Sequence, residues 1–353
     1  MKHIIRHKEQ IQEVLLSLLE QAQEEYSYLE WGDHVFELLR NFVVGGKMYR
    51  GSLLVFTYEM LHNSQVSQDH PIYTLAAALE LYASTLLVQD DIMDGDSLRR
   101  GKATLHVQIE DDYAGSTSSQ KARFGTGMAM MCATIGQFLV QKIITELDFS
   151  QETKVQLFHA MSTLSIPTGL AQMKDVATSM NKDALTKSEI LGVYTYKTAY
   201  YTMCLPFALA TTAAQKDTHP AHNILQDLGS SLGVLYQISD DAIGLFSTSA
   251  QAGKTRGNDV VEGKQTLYYW YTADLLSGKA KERFLSLYGH AQSESEVAET
   301  IALIEQSGAR SRVEADTQRS VDMCAHQLAQ LPVAERWKEE LRSFMQVIVH
   351  RKR

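Results

Sequence analysis

Apolar residues recur at helical spacing along most of the chain. Ile11, Leu15 and Leu18, for example, are three or four residues apart, as the buried face of an amphipathic helix requires. No run of two-residue alternation is convincing, so we expect almost no β-strand and an all-α fold. The pattern predicts helices near 5–27, 31–43, 46–63, 71–94, 118–146, 150–168, 168–180, 186–214, 220–243, 263–277, 279–288, 294–307 and 309–350.

Two polar stretches, 95–117 and 246–258, interrupt this pattern and are predicted to be loops. Each follows a cluster of aspartates, and long loops without structure of their own are often lids over functional sites. No linker with a change of composition divides the chain, so we predict a single domain over residues 1–353.

The composition narrows the class of protein. The net charge of −9 argues against nucleic-acid binding, which needs a basic face. The cysteines (Cys132, Cys204 and Cys324) form neither a zinc pattern nor a disulfide framework, which favours a reducing, cytoplasmic location. No signal peptide is evident, and no apolar stretch reaches the roughly 18–20 residues that span a bilayer, so we predict no transmembrane segment.

Acidic residues at the end of the predicted helix 71–94 are the first candidates for chemistry. Residues four apart share a helix face, so Asp90 and Asp94 project together and Asp91 flanks them. Carboxylates crowded in this way need a cation, and hard oxygen ligands suit Mg²⁺. A solvated acidic turn is the alternative for an isolated motif, but here the apolar run 86–88 leads into the cluster.

A second acidic cluster ends the predicted helix 220–243. Gln237 lies one turn before Asp240 and Asp241. Gly233 lies one turn earlier, and because glycine weakens a helix interior, its presence indicates a close approach by either a neighbouring helix or a ligand. The sequence leaves both possibilities open.

Basic residues stand where phosphate groups would need them. Lys47 and Arg50 follow Gly45-Gly46 at a predicted helix start, where free N–H groups and the helix dipole favour an anion. Each cation alone is equally consistent with a solvated surface; the others are Arg99, Arg100, Lys197, Lys254 and Lys264. No Ser/His/Asp, Cys/His or HExxH arrangement is present, which points to chemistry performed by a metal and the substrate's own leaving group.

Together these segments resemble the trans-isoprenyl diphosphate synthases of the polyprenyl synthetase family over about residues 43–270. The resemblance rests on six elements in the same order. They are Gly45–Arg50 (GGKxxR), Asp90–Gly101 (DDxxD, then LRRG), Ala171–Asp175, Lys197-Thr198, Gly233–Asp241 and Gly253–Leu267.

The resemblance implies a fold and a cofactor. The fold is the isoprenoid synthase fold, a bundle of antiparallel helices around a deep central cavity, usually in a homodimer. The acidic clusters would face each other across the cavity mouth. The metal ligands implied are Asp90, Asp91, Asp94, Asp240 and Asp241, with Asp241 acting through water, and about three Mg²⁺ ions per active site.

The reaction implied joins isopentenyl diphosphate to an allylic diphosphate (dimethylallyl, geranyl or farnesyl diphosphate). Ionisation of the allylic diphosphate yields a carbocation that the double bond of isopentenyl diphosphate attacks. The catalytic residues implied are Lys197, Thr198, Gln237 and Lys254, and the substrate-binding residues are Gly46, Lys47, Arg50, Arg99, Arg100 and Lys264. Closure of the 246–258 loop would exclude water.

The chain departs from the family pattern at a few positions. Gly244 replaces the third carboxylate of the second cluster, as in one branch of the family. Ala83 stands where many relatives place a His or Gln that contacts isopentenyl diphosphate, which puts the affinity for that substrate in question. Gly51 replaces the usual proline after GGKxxR, and Gly136-Gln137 replaces a common Gly-Asp.

Product length should depend on what blocks the cavity below the first acidic cluster. Thr85 is small, whereas farnesyl-limited relatives often carry an aromatic residue there. Tyr82 and Leu81 lie about one turn deeper, roughly 5.4 Å or one isoprene unit, and could form the floor. We therefore expect products of C20 or longer; the alternative is that Tyr82 points to a neighbouring helix or partner subunit.

Two other functions remain as alternatives. A class I terpene cyclase shares the helical fold and a DDxxD, but it has no need of GGKxxR. A non-catalytic subunit of a heteromeric prenyl diphosphate synthase would generally have lost the acidic clusters, and both are present here.

Overall fold

The computed structural model describes residues 4–113, 117–180, 184–216, 220–246 and 257–350. Over these residues the chain is mainly α-helical, and its strands are limited to one short hairpin. The all-α prediction is therefore confirmed.

The chain packs as two compact units, each assembled from separate stretches of sequence. The first unit comprises Met1–Thr163, Leu205–Leu225 and Pro332–Glu340, and the second comprises Leu164–Cys204, Gln226–Leu331 and Leu341–Arg353. The prediction of one domain over residues 1–353 and of a central cavity stays a prediction.

The first unit contains a core of long apolar helices. Its elements are a 3₁₀ turn at Ile5–His7, α1 (Lys8–Tyr26), α2 (Gly32–Val43), α3 (Tyr49–His62), α4 (Pro71–Asp94), β1 (Leu98–Arg99), β2 (Lys102–Ala103), α5 (Leu105–Asp112), α6 (Ser118–Glu146), the first part of α7 (Gln151–Met180) and α9 (Leu205–Ala213). Helices α3 and α4 are buried along most of their length. The segment 332–340 also belongs here: the Trp337 ring packs 5.4 Å from that of Phe56, and its Nε1 donates to Asn63 Oδ1 at 3.0 Å.

The second unit is built on the remainder of α7 and on the helices that follow it. They are α8 (Lys187–Val193), a π-helical stretch at Tyr194–Cys204, α10 (Pro220–Phe246) from Gln226 onward, α11 (Asn258–Glu262), α12 (Leu267–Leu275), α13 (Gly278–Leu287), α14 (Glu294–Ser307), α15 (Ala309–Gln330) and α16 (Glu335–Val349) from Leu341 onward. Apolar side chains of α8, α10, α12, α13 and α14 share one core, which includes Ile190, Ile238, Leu267, Phe284 and Ile304.

Several predicted boundaries were wrong. The stretch 95–117 is not an unstructured loop, because it holds the β1–β2 hairpin and α5. Helix α7 runs through Pro167 where two helices were predicted. The predicted helix 309–350 is two helices, since Pro332 follows α15 and pushes the residue before it, Leu331, into extended backbone at φ −63°, ψ 123°. Residues 247–256 of the other predicted loop lie outside the described residues.

Two helices are long and apolar enough to cross a membrane by length and composition, α4 and α6. Helix α4 is mostly buried and carries the first acidic cluster, which is the pattern of a core helix. Less than half of the apolar part of α6 is buried, so this helix exposes an apolar surface.

Candidate active site

The first acidic cluster lies at the C-terminal end of α4. Gly95 ends the helix with φ +69°, a left-handed conformation that glycine adopts without strain, and its N–H donates to the carbonyl of Asp91. Asp91 is buried, whereas Asp90 and Asp94 are partly exposed. At this helix end, solvent therefore reaches two of the three carboxylates, and the third is buried.

The hairpin after α4 brings Arg99 back onto this cluster. Arg99 Nε donates to Asp91 Oδ1 at 2.5 Å, and its Nη2 donates to Asp90 Oδ2 at 3.2 Å. Arg100 and Gly101 form the two-residue turn, both with positive φ (+55° and +76°), as tight hairpins require. Thr104 Oγ1 donates to the Asp96 carbonyl at 2.8 Å and holds the far side of the hairpin.

Burial raises the pKa of the Asp91 carboxyl to about 6, and the hydrogen bond and charge of Arg99 act against this. Its Oδ1 is bonded to Arg99, but its Oδ2 is buried and has no hydrogen-bond partner among the described residues. An unpaired buried acceptor is costly. The first cluster thus retains an oxygen that a further cation or a water would satisfy.

The described residues hold no ready-made metal cage. No group of three or more His, Cys, Asp or Glu side chains within them is arranged to hold a metal ion. In the first cluster Arg99 lies between Asp90 and Asp91 and draws both carboxylates toward itself. The metal-ligand roles predicted for the five aspartates therefore stay predictions.

The glycine loop before α3 meets a buried acid from α4. The loop turns through Gly45 (φ +90°) and Met48 (φ +50°), and α3 begins at Tyr49. We expected free N–H groups at this helix start. Instead, Glu80 Oε1 accepts the N–H of Gly51 at 2.7 Å, and the carboxylate also receives the N–H of Arg50.

Three of the predicted substrate-binding residues come together beside this acid. Arg100 Nη1 lies 3.6 Å from the point where a Cβ on Gly46 would stand, so its guanidinium borders the glycine loop. The charges of Arg50 and Arg100 both act on the Glu80 carboxyl. Lys47 is exposed, with its Nζ 5.5 Å from the centre of the Tyr49 ring.

The second acidic cluster lies near the end of α10, in the second unit. Asp240 is exposed and Asp241 is buried. Asp241 accepts hydrogen bonds from the Tyr194 hydroxyl and, at 2.7 Å, from Gln237 Nε2. The Tyr194 oxygen in turn accepts the N–H of Leu267 at 3.0 Å.

The π-helical stretch joins this network through Thr198, whose Oγ1 donates to Gln237 Oε1 at 2.6 Å. The close approach predicted at Gly233 is a helix contact: a Cβ there would lie 2.2 Å from Ala199 Cα. The π-helical stretch and α10 thus pack backbone against backbone, which places Thr198 within reach of Gln237.

The predicted lysines of the second unit differ in setting. Lys197 Nζ pairs with Asp175 Oδ2 at 2.5 Å, which links two elements of the motif series. Lys264 Nζ pairs with Glu262 Oε2 at 3.0 Å. Lys254 lies outside the described residues, as does most of the glycine-rich loop that carries it.

Two residues near these groups, Glu80 and Tyr194, were not predicted from the sequence, and Asp259 was noted only as a position of the Gly253–Leu267 motif, without a role. Glu80 could have been found as the lone charge in the apolar middle of α4. Asp259 Oδ2 lies 3.3 Å from the point where a Cβ on Gly244 would stand, so a carboxylate borders the position at which the second cluster lacks its third acid. No sequence pattern signalled Tyr194, because its partner Asp241 is distant in the chain.

The residues predicted to limit product length are buried in the first unit. Thr85 has no exposed surface, and its Cγ2 lies 2.6 Å from the point where a Cβ on Gly136 would stand. Tyr82 is 8% exposed and Leu81 is buried. Their effect on product length stays a prediction.

Comparison with known proteins identifies a family that this chain matches. A model of the polyprenyl synthetase family matches residues 33–304. A short chain isoprenyl diphosphate synthase of Methanocaldococcus jannaschii is 26% identical over 297 residues, covering 82% of this chain and 83% of that protein. The farnesyl pyrophosphate synthase of Saccharomyces cerevisiae is 30% identical over 267 residues, covering 71% of this chain and 70% of that protein.

Among solved structures, the chain is similar to a geranylgeranyl pyrophosphate synthase from Corynebacterium glutamicum complexed with isoprenyl diphosphate and magnesium. The TM-score is 0.87 at 23% identity, over 97% of this chain and 98% of that one. This similarity confirms the isoprenoid synthase fold. Because the family model covers well over half of the sequence, the chain belongs to the polyprenyl synthetase family and is a prenyltransferase.

Proposed function

We propose that this enzyme condenses isopentenyl diphosphate with an allylic diphosphate and releases an all-trans polyprenyl diphosphate of C20 or longer. The observation that carries the proposal is the pair of adjacent arginines in the hairpin. Arg99 bonds to Asp90 and Asp91, while Arg100 borders Gly46 and shares the field of Glu80 with Arg50. Two adjacent cations, one at the acidic cluster and one at the glycine loop, suit a reaction that binds two diphosphates.

The acidic clusters are the proposed site of Mg²⁺. Carboxylate oxygens are the donors that this ion prefers, and the unpartnered Oδ2 of Asp91 fits a cluster that receives a further cation. The proposed ligands are Asp90, Asp91 and Asp94 in the first cluster, and Asp240 and Asp241 in the second, with Asp241 acting through water; about three ions per active site is our expectation. When bound, Mg²⁺ neutralises the allylic diphosphate and stabilises the charge that develops as it leaves.

Residues around the clusters would add fixed charge and exclude water. Arg99, Lys197, Lys254 and Lys264 supply positive charge to the leaving diphosphate, and Asp175 holds the Lys197 ammonium. Thr198 and Gln237 are locked to each other and to Asp241, so they present fixed oxygen dipoles rather than mobile ones. The allylic carbocation would also have to be kept from water.

The second substrate would lie against the glycine loop. Lys47, Arg50 and Arg100, with the close backbone of Gly46, would bind the diphosphate of isopentenyl diphosphate. Its double bond attacks the allylic carbocation at C1, forming the new C–C bond. The proton then lost from C2 passes to the released diphosphate, so the reaction requires no side-chain base.

A homodimer is part of the proposal. Helix α6 carries an exposed apolar face, on which Met130, Met131 and Phe138 lie within about two turns of one another. Large apolar patches on a protein surface usually mark contact with another molecule. A second copy of the chain is the partner we propose, and a cytoplasmic location is the setting.

The alternatives have less support. Membership of the polyprenyl synthetase family and the lysine-arginine loop before α3 disfavour a terpene cyclase. A non-catalytic subunit is disfavoured because both acidic clusters are intact.

The test is incorporation of radiolabelled isopentenyl diphosphate by the purified chain. We expect incorporation that requires both an allylic primer and Mg²⁺ and that is abolished by a chelator. The control is the same chain with Asp90→Asn and Asp94→Asn. Cyclic hydrocarbon from a prenyl diphosphate would identify a cyclase, and no incorporation by the chain alone would identify a subunit; either result would contradict the proposal.

A further inference from the structure

Glu80 is a buried acid that the reaction outlined above does not use. It lies in the middle of α4 and is 6% exposed, with apolar neighbours along most of the helix. A carboxylate is costly to bury unless hydrogen bonds and opposite charges compensate it. The groups that compensate the Glu80 carboxylate therefore indicate its role.

The start of α3 supplies the hydrogen bonds. Glu80 receives the N–H groups of Arg50 and Gly51, in the first helical turn, where the helix dipole favours an anion. Gly51 suits this close contact, because a Cβ there would lie 3.0 Å from the Ala76 carbonyl oxygen and 3.1 Å from Glu80 Cγ, and its neighbours would have to shift. A proline at position 51 would also lack the N–H that Glu80 accepts.

Two arginines supply the opposite charge. Burial raises the pKa of the Glu80 carboxyl. The charges of Arg50 and Arg100 lower this pKa, and so do the hydrogen bonds that Glu80 accepts from the two backbone N–H groups. Arg100 comes from the hairpin turn and Arg50 from α3, so one carboxylate lies in the field of cations from separate elements. Two guanidinium groups near each other repel unless an anion lies between or beside them.

We propose that Glu80 is a positioning residue, which holds Arg50, Arg100 and the start of α3 in the arrangement that binds the diphosphate of isopentenyl diphosphate. This inference rests on the function proposed above. Glu80 would not touch the substrate. It fixes the guanidinium groups beforehand, so that binding does not have to order them.

The alternative is that Glu80 merely caps α3 and stabilises the first unit. The two roles differ in what they predict for the substrates. A cap affects folding and leaves both Michaelis constants alone, whereas a positioning role affects the binding of one substrate only.

The test is Glu80→Gln, which keeps an oxygen for the Gly51 N–H but removes the charge. We expect the KM for isopentenyl diphosphate to rise about tenfold, the usual worth of one hydrogen bond to a charged group. The KM for the allylic diphosphate should stay within about twofold, because its site is distinct. Calorimetry with isopentenyl diphosphate alone, where no turnover occurs, should show the same loss of affinity.

The matched control is Glu59→Gln. Glu59 is 1% exposed, lies in the same unit, accepts the Val66 N–H at 3.1 Å and pairs with Arg6. We expect it to lower the unfolding temperature without changing either KM. Glu80→Asp, which keeps the charge but shortens the reach, should weaken isopentenyl diphosphate binding less than Glu80→Gln does, and it serves if the glutamine variant fails to fold.

An unchanged affinity for isopentenyl diphosphate in Glu80→Gln, or an equal rise in both KM values, would overturn the positioning role. Failure of the wild-type chain to extend a primer would instead contradict the proposed function, and calorimetry would still decide the role of Glu80.

Discussion

Buried acids on one helix set the direction of the surrounding cations. Glu80 and Asp91 are separated by three turns of α4 and so lie on the same face. Glu80 holds the start of α3, and Asp91 holds Arg99. At the scale of the residue, each of these two buried carboxylates organises groups that come from a neighbouring element.

Tyr82, between these two acids on α4, is expected to limit product length. Replacing Tyr82 with Ala removes a buried ring and leaves space for about one more isoprene unit. We expect the main product to lengthen, as measured by chromatography of the dephosphorylated products. Tyr82→Phe keeps the ring and should leave the product unchanged. An unchanged product spectrum in Tyr82→Ala would show that the ring faces a neighbouring helix or subunit instead.

At the scale of the element, close helix contacts organise the residues around the second acidic cluster. The π-helical stretch Tyr194–Cys204 carries Lys197 and Thr198 and packs against α10 at Gly233 and again at Gly229, where a Cβ would lie 3.1 Å from Cys204 Cα. π-Helical segments occur frequently at functional sites. Here the segment directs Thr198 to Gln237, and the glycines allow the approach.

Gly233→Ala is therefore expected to disrupt this packing. The added Cβ would lie 2.2 Å from the backbone of Ala199, which cannot move without displacing the whole segment. We expect a loss of about 3 kcal/mol in the free energy of unfolding, at the upper end for overpacked cores. Urea denaturation measures this change in the free energy of unfolding.

Gly192→Ala is the control for this variant. Gly192 lies in α8 of the same unit, and a Cβ there would have no neighbour within 4 Å. It should stabilise the chain by about 0.5–1 kcal/mol, because alanine favours a helix over glycine. If both variants behave alike, the contact at Gly233 does not hold the site together.

The sequence predicted the long helices well and the short elements poorly. Periodicity located α4 and α6 because they are long, but a two-residue strand such as Leu98–Arg99 has no period to detect. Pro332 separates α15 from α16, whereas Pro167 lies inside α7; both carry the same sequence signal, and tertiary packing decides between them.

The candidate site shows the same division. The aspartates and cations could be found from their spacing, since they belong to ordered motifs. Tyr194 could not, because its role arises from a contact with Asp241, which is distant in the chain. Glu80 could be noticed as a lone charge in an apolar helix, but its contact with Gly51, also distant in the chain, could not be predicted. Lys254 was predicted from the motif alone.

At the scale of the whole molecule, the exposed face of α6 is a feature that the chain alone does not explain. Phe138 is 63% exposed on a helix that is otherwise apolar enough to be a core helix. Complete burial of such a side chain would contribute roughly 1.5–3 kcal/mol of stabilising free energy. A second copy of the chain would cover it.

Phe138→Glu should therefore convert a dimer into a monomer. Light scattering coupled to size exclusion measures the mass directly. Met323→Glu is the control, because Met323 on α15 is also exposed, at 55%, but lies outside the proposed interface. A Phe138→Glu variant with the mass of the wild type would exclude α6 as the dimer face.

The hairpin of Arg99 and Arg100 has a consequence for how this enzyme can vary. The two arginines occupy consecutive residues, whose Cα atoms are about 3.8 Å apart whatever the side chains do. Arg99 bonds to the acidic cluster, and Arg100 borders the glycine loop. The fixed distance between consecutive Cα atoms, rather than side-chain packing, therefore sets the spacing of the backbone positions from which the two arginines extend. An inserted or deleted residue between β1 and β2 would misdirect at least one of the cations. Divergence should therefore replace side chains here while keeping the number of residues from Asp91 to Thr104 constant.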